Sequence, residues 1–476
     1  MLFNSIEFLV FYLVVFCAYW AVPRRKARVI LLLAASYYFY MSWNAKLAAV
    51  VAGSSLVDFF LAQALEGSAE QRTRKKFLIA SIVMNLGLLF YFKYSNFFLE
   101  SMGALLHGLG LGAQMPVLKL VLPIGISFYT FEAISYMVDV HMQRIKAEKN
   151  PLHFLLFISF FPRMVAGPII RAKNFLPQLA LEKEFDGARF DLGLRYVLMG
   201  LFKKMAIADR MAYLVDPVYA SPGDYSTSAV WIAVLAYSLQ IYCDFSGYSD
   251  IAIGTAHMLG FKLPGNFNMP YLSKNIAEFW RRWHISLSTW LRDYVFISLG
   301  GSRGTALKTA VTLMTTMTLC GLWHGAKWTF VAWGVVQGLM MIAQRAFGGF
   351  CKARPGLKAA METAGGSALR VAITFMAVTL GWVIFRAQEF GKAGAVFHAL
   401  FIPQHGIMVR DPVGPWSLGV AYAIVVVAHA AAATGFWKKT SSKLAPPAWG
   451  VAYAAVVVAI CMLAADSAKV FIYFQF

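Results

Sequence analysis

Charge is what this 476-residue chain has least of: 14% of its residues are Asp, Glu, Lys or Arg, against 59% that are hydrophobic. So little polar surface cannot coat a soluble globule of this length, and a mean hydropathy of +0.61 reads as an integral membrane protein. Acidic residues are scarcer still, 23 against 43 Lys and Arg, for a net charge of +20. The placement of the cations argues against a nucleic-acid partner. They bunch in short loops beside hydrophobic runs, as in Arg24-Arg25-Lys26-Ala27-Arg28, Arg72-Thr73-Arg74-Lys75-Lys76 and Lys438-Lys439, which is the positive-inside pattern that orients spans against anionic lipid. Cysteines number five, an odd count scattered without a C-x-x-C pair, so neither a disulfide framework nor a zinc site is suggested. Also missing are a G-x-S-x-G elbow, an H-E-x-x-H zinc motif and a Walker loop, which removes several enzyme classes.

Long apolar runs fill most of the chain, enough for about ten to twelve helices, partial ones included, across a hydrocarbon core about 30 Å thick. No soluble domain of ordinary size fits between them. The start, Met1-Leu2-Phe3-Asn4-Ser5-Ile6-Glu7, has no basic n-region and reads as a retained first helix. The first run ends at Pro23, just before a basic cluster, which places the N-terminus outside and residues 24–28 in the cytoplasm. Counting onward puts the C-terminus outside as well, where the aromatic end Phe471-Ile472-Tyr473-Phe474-Gln475-Phe476 is expected to dock on the protein or a partner.

Polar residues inside apolar runs mark the places where the chain does more than span. The stretch Leu122-Pro123-Ile124-Gly125-Ile126-Ser127 with Glu132 predicts a broken helix facing protein or water, since lipid cannot satisfy freed backbone groups. The run from Leu152 to Ile170, with Pro162, Arg163 and Gly167-Pro168, predicts a re-entrant element. Asp244 and Asp250, in Asp244-Phe245-Ser246-Gly247-Tyr248-Ser249-Asp250, are carboxylates at membrane depth. They are candidate site residues, and pairing with Lys or Arg for structural reasons is the equal alternative.

The stretch from Asn266 to Thr329 concentrates charge, tryptophan and histidine. Over 278–296 the spacing predicts one amphipathic helix, with Trp280, Trp283, Leu287, Trp290, Leu291 and Tyr294 on one face and Arg281, Arg282, Ser288 and Arg292 mostly on the other. Such a helix lies at the headgroup boundary, with His284 on its oily side. Further on, two apolar runs must turn near Gly321 to Lys327, so His324 sits on a glycine-flanked break. A neutral imidazole at that depth can take a proton from a hydroxyl and return it to a leaving group, and tryptophans around it can exclude water from a thioester. The plain alternative is a histidine that hydrogen-bonds between helices. The other seven histidines, His429 among them, read as structural.

These motifs resemble the membrane-bound O-acyltransferase family, in its bacterial alginate O-acetyltransferase branch. The resemblance is carried by Asn268-x-Pro270-Tyr271, the run from Glu278 to Tyr294, Gly321-Leu322-Trp323-His324-Gly325 and the aromatic end, and it extends to Leu122–Phe128, Gly167-Pro168 and Asp244–Asp250. It implies one all-α membrane-embedded domain over 1–476, with N-terminal helices in 1–119, a catalytic core in 120–347 and C-terminal helices in 348–476. The helices form a ring around a thinned centre where a cytoplasmic funnel meets an outer one. It further implies that His324 is the catalytic residue and His284 the second signature position, occupied by Asn in some relatives. Trp280, Trp283, Arg281, Arg282, Ser286, Trp323, Asp244 and Asp250 are the tunnel candidates.

The function expected is transfer of acetyl groups from a cytoplasmic thioester, acetyl-CoA or an acyl carrier, across a bacterial inner membrane. A periplasmic acetyltransferase of the serine-hydrolase type would then decorate an exopolysaccharide, with alginate the leading choice. No tightly bound cofactor or metal is expected. Two rivals remain: the same fold passing D-alanine from a carrier protein to teichoic acid, and a transporter for polysaccharide or acyl groups, which also places polar residues in broken helices.

Overall fold

The computed structural model describes residues 1–112, 115–165, 167–410, 417–441, 445–464 and 471–472. Among them the regular elements are helices, and the strand-like pairing is an isolated parallel bridge between Tyr225 and Ile407. Five helices are long and apolar enough to cross a membrane: Ala45–Gly67, Gln71–Gly108, Thr227–Met258, Trp328–Lys352 and Ala364–Ala387. Shorter apolar helices include Ile6–Ala21 and Ser417–Ala433. The chain divides into two compact units, one formed by 1–197 with 249–264 and the other by 198–248 with 265–476.

In the first unit, polar side chains join apolar helices because hydrocarbon offers them no other partner. Asn44 starts Ala45–Gly67 by accepting from the backbone N–H groups of Lys46 and Leu47 at 3.0 and 3.2 Å, a standard N-cap. Inside that helix the buried Asp58 accepts from Ser81 Oγ at 2.5 Å and Asn85 Nδ2 at 2.8 Å on the next one. Arg74 donates to the carbonyls of Leu65, Val140 and His141 at 3.0–3.2 Å, closing two helix ends whose last carbonyls lack intrahelical partners.

The break expected near Pro123 is present. Gly125 adopts φ 72°, and the helix Ile126–His141 begins immediately after it. A Cβ on Gly125 would meet the Met164 carbonyl oxygen at 2.5 Å, so both the turn and the close approach require glycine. The run 152–170 forms two short helices, Pro151–Ser159 and Phe161–Met164, rather than one span. Its Arg163 is buried and pairs with Glu132, which also accepts from the Ile170 N–H at 2.9 Å.

The second unit is built around a hairpin of Ala306–His324 and Trp328–Lys352. Glycines let the two backbones touch: a Cβ on Gly321 would lie 2.1 Å from the Phe330 carbonyl oxygen, and one on Gly334 would lie 2.4 Å from that of Met317. Small residues at a membrane helix contact serve this purpose, because packing replaces the hydrophobic drive that lipid removes. Phe471 and Ile472 are buried in this unit. Residues 473–476 of the aromatic end, and the Lys438 side chain of the last basic cluster, lie outside the described set.

Candidate active site

The single amphipathic helix expected over 278–296 is interrupted. Asn275 caps a first helix, Ile276–Arg282, by accepting from the Glu278 N–H at 2.8 Å. The Glu278 carboxylate then holds Arg282 at 2.8 Å. Trp283 leaves the helix, His284 takes a left-handed conformation at φ 41°, and a second helix runs Ile285–Leu291 before a π-turn at Arg292–Phe296. Hydrophobic periodicity carries no information about such a break. For an L-residue the left-handed conformation costs roughly 1–2 kcal/mol, so something must hold it.

Asn266 holds it. Its carbonyl oxygen accepts from the Ser286 backbone N–H at 3.1 Å and from Ser286 Oγ at 2.9 Å, and it lies 3.2 Å from His284 Nδ1. The Asn266 backbone carbonyl accepts from the Ile285 N–H at 2.9 Å. A backbone N–H can only donate, so the atom facing Ser286 is the amide oxygen and not its nitrogen. The oxygen in turn can only accept, so Nδ1 carries the proton and Nε2 is the basic nitrogen. The ring is fully buried, and burial pushes its pKa down to about 3. His284 is therefore a neutral imidazole of fixed tautomer.

His324 ends the helix Ala306–His324, where Gly325 breaks it with an extended backbone. A Cβ on Gly325 would meet the Phe330 ring at 2.2 Å, so the chain can turn here only by lacking a side chain. The imidazole is boxed by rings: Trp323 at 5.0 Å, Trp333 at 5.3 Å and Phe385 at 5.4 Å between centroids, all edge-to-face. Trp323 also faces His284 at 6.0 Å, so the two histidines share one indole. Behind Trp333 stands Trp382, stacked at 5.6 Å, and Trp382 meets Trp283 at 5.1 Å. Trp280 donates to Gln337 Oε1 at 3.2 Å and lies 5.9 Å from Trp333.

The structure thus gathers His284, His324, Trp280, Trp283, Trp323 and Ser286 of the expected residues. Arg281 is exposed and Arg282 is tied to Glu278. Asp244 is buried in an ion cluster: Lys204 Nζ lies 2.7 Å from both Asp209 and Asp244, and the second Asp244 oxygen accepts from the Ile472 N–H at 2.8 Å. The structural pairing weighed for this carboxylate is the one observed. Its neighbour Phe245 touches His284 at 4.6 Å and Phe471 at 6.0 Å. Asp250 is half-buried and belongs to the first unit.

Asn266, Gln337, Trp333, Trp382, Phe385 and Lys204 were not singled out by the sequence. Lys203-Lys204 inside an apolar run was the available signal for the last of them. His429 is buried and its ring meets Tyr242 at 5.4 Å, which in turn meets Trp283 at 6.1 Å. Among the described residues no group of three or more His, Cys, Asp or Glu side chains is placed to hold a metal.

A histidine boxed by aromatic rings, beside a second, neutral histidine of fixed tautomer, suits proton transfer. The sequence profile of the MBOAT, membrane-bound O-acyltransferase family matches residues 142–384, which contain both histidines. The chain belongs to this family. It is a multi-pass all-α membrane protein and an acyltransferase. It is 41% identical over 403 residues to the protein named "Probable alginate O-acetylase AlgI" of Pseudomonas aeruginosa, a match covering 84% of this chain and 75% of that one. The protein of the same name from Azotobacter vinelandii is 40% identical over 84% of this chain and 78% of its own length. A teichoic acid D-alanyltransferase of Bacillus subtilis is more distant, 31% identical over 58% of this chain and 71% of that protein. Family membership decides between the enzyme and the transporter in favour of the enzyme.

Proposed function

We propose that this acyltransferase takes acetyl groups from a thioester reached from the cytoplasm, acetyl-CoA or a carrier-bound acetyl, and passes them across the inner membrane for O-acetylation of alginate. The acceptor hydroxyl belongs to a periplasmic acetyltransferase of the serine-hydrolase type, which completes the transfer to the polymer. The observation that carries this reading is the His324 imidazole at the glycine break, enclosed by Trp323, Trp333 and Phe385. Similarity to two alginate O-acetylases over 84% of the chain supports acetate and alginate over D-alanine and teichoic acid.

In the reaction, the acceptor oxygen attacks the thioester carbonyl while His324 takes the hydroxyl proton. The tetrahedral intermediate collapses by breaking the carbon–sulfur bond, and the imidazolium returns the proton to the departing thiolate. The surrounding rings keep water from competing with the hydroxyl. His284, neutral and held by Asn266, orients the adjoining wall through Trp323.

The test is the acetyl content of secreted polymer in cells whose only copy carries His324→Ala. Polymer without acetyl groups, with the protein at its normal level in the membrane fraction, is the expected result. Unchanged acetylation would refute the mechanism. Purified protein offered labelled acetyl-CoA and labelled D-alanyl carrier should cleave the first; cleavage of the carrier alone would establish the D-alanine reading instead.

A further inference from the structure

The hairpin partner Trp328–Lys352, the short helix Pro355–Glu362 and the helix Ala364–Ala387 follow one another and enclose a groove of about 580 Å³. Its walls come from two membrane-spanning helices. Phe347, Leu369 and Ile373 line it and are exposed, and in a bilayer apolar side chains so exposed are covered by lipid tails. The mouth is basic: Lys274, Lys352, Lys358 and Arg370 line it. Glu362 is the one carboxylate among the described lining residues, and its contact with Lys358 is long, 3.9 Å between exposed groups.

Two contacts brace the mouth. Arg370 Nε donates to the Lys274 carbonyl at 3.3 Å, and Lys274 Nζ donates to Ser367 Oγ at 3.1 Å. The cations are therefore gathered at the connecting end of the two helices, while the apolar walls run from there along the spans. This is the charge and shape complement of an anionic amphiphile lying parallel to the helices, with its phosphate at the basic end.

A water-soluble thioester fits the same cations but not the rest of the groove. Ile276, Met340 and Ala377 line it, whereas His324, Trp333 and Gln337 do not. A donor bound here would not present its carbonyl to the catalytic histidine. An acyl chain needs no such route, and the exposed walls suit it.

We propose that this groove is a binding site for one anionic phospholipid, with its phosphate held by Lys352, Lys358 and Arg370 and one acyl chain against Phe347, Leu369 and Ile373. The site stands apart from the acyl-transfer centre, so its test needs no turnover. Cys351 lines the groove and is half-buried, whereas Cys17 and Cys461 are exposed elsewhere and Cys243 and Cys320 are buried. With Cys17→Ser and Cys461→Ser in place, an uncharged fluorescent maleimide reports on Cys351 alone.

The labelling rate is measured in nanodiscs of phosphatidylglycerol and of phosphatidylcholine, with and without coenzyme A. Labelling several-fold slower in phosphatidylglycerol is expected, with the difference abolished by Lys352→Gln/Lys358→Gln. It should also be abolished by Ile373→Trp, which fills the groove and keeps its cations. Equal rates in the two lipids would overturn the proposal, as would protection that follows coenzyme A rather than lipid. Protection that survives Ile373→Trp would reduce the effect to surface charge and overturn it too.

Discussion

Asn266 and His284, 18 positions apart, meet through one amide oxygen that lies 3.2 Å from Nδ1 and also takes two hydrogen bonds from Ser286. This contact fixes the His284 ring and gives it a defined proton inventory. Under the proposed mechanism Asn266 therefore acts through His284, as a positioning residue.

Replacing Asn266 with Ala strands the Nδ1–H and the Ser286 donors in a buried site, at about 1–3 kcal/mol for each unmade bond. Asn266→Ala should lower turnover tenfold or more and reduce the melting temperature. Asn266→Asp keeps an acceptor and adds negative charge, which favours the imidazolium. Its activity should fold back in but show a limb on the acid side of the pH profile that the parent lacks. A purely structural Asn266 would leave that profile unmoved.

The fixed neutrality of His284 has its own consequence for stability. Burial lowers its pKa from 6.5 unfolded to about 3 folded, so between those values the unfolded chain binds the additional proton. The contribution is complete above pH 6.5 and is lost as the pH falls towards 3. Melting temperature should therefore decline less over that interval in His284→Asn than in the parent. Asn tolerates the left-handed backbone well, so this variant should fold, whereas His284→Val should lose about 1–2 kcal/mol more from backbone strain.

Lys204 bridges Asp209 and Asp244, its ammonium 2.7 Å from each carboxylate. Removing one partner of a buried ionic cluster costs about 3–5 kcal/mol, so Lys204→Met should abolish stable expression. Adding Asp209→Asn and Asp244→Asn should recover most of the folded protein, measured by gel filtration. Because Asp244 also binds the Ile472 N–H, Asp244→Ala alone should speed hydrogen exchange at the Ile472 amide.

The backbone contact at Gly321 leaves no room for a methyl group. Gly321→Ala forces Ala306–His324 away from Trp328–Lys352 and moves His324. Overpacking of this kind costs about 1–3 kcal/mol, and activity should fall more steeply than the melting temperature.

Much of this was legible in the letters. The hairpin turn at His324 followed from two apolar runs with basic far ends, and the broken entry at Gly125 from proline and glycine beside a buried acid. The interruption at His284 was not legible, since Trp280, Leu287 and Leu291 are buried as a continuous helix would bury them and the Asn266 that holds the turn lies 18 positions away. The aromatic box was half visible: Trp323 adjoins its histidine in sequence, but Trp382 and Phe385 arrive from another helix and carry no local signature. The Lys204 cluster joins positions 204, 209, 244 and 472, a contact set that apolar periodicity does not encode.

The most direct test of the account places acetyl-CoA labelled in its acetyl group on the cytoplasmic face of sealed inside-out vesicles and follows the label to an acceptor hydroxyl in the lumen. The parent protein should transfer it while His324→Ala, equally abundant and equally folded, transfers none. Label reaching the lumenal acceptor at the parent rate in His324→Ala would contradict the central role given to this imidazole.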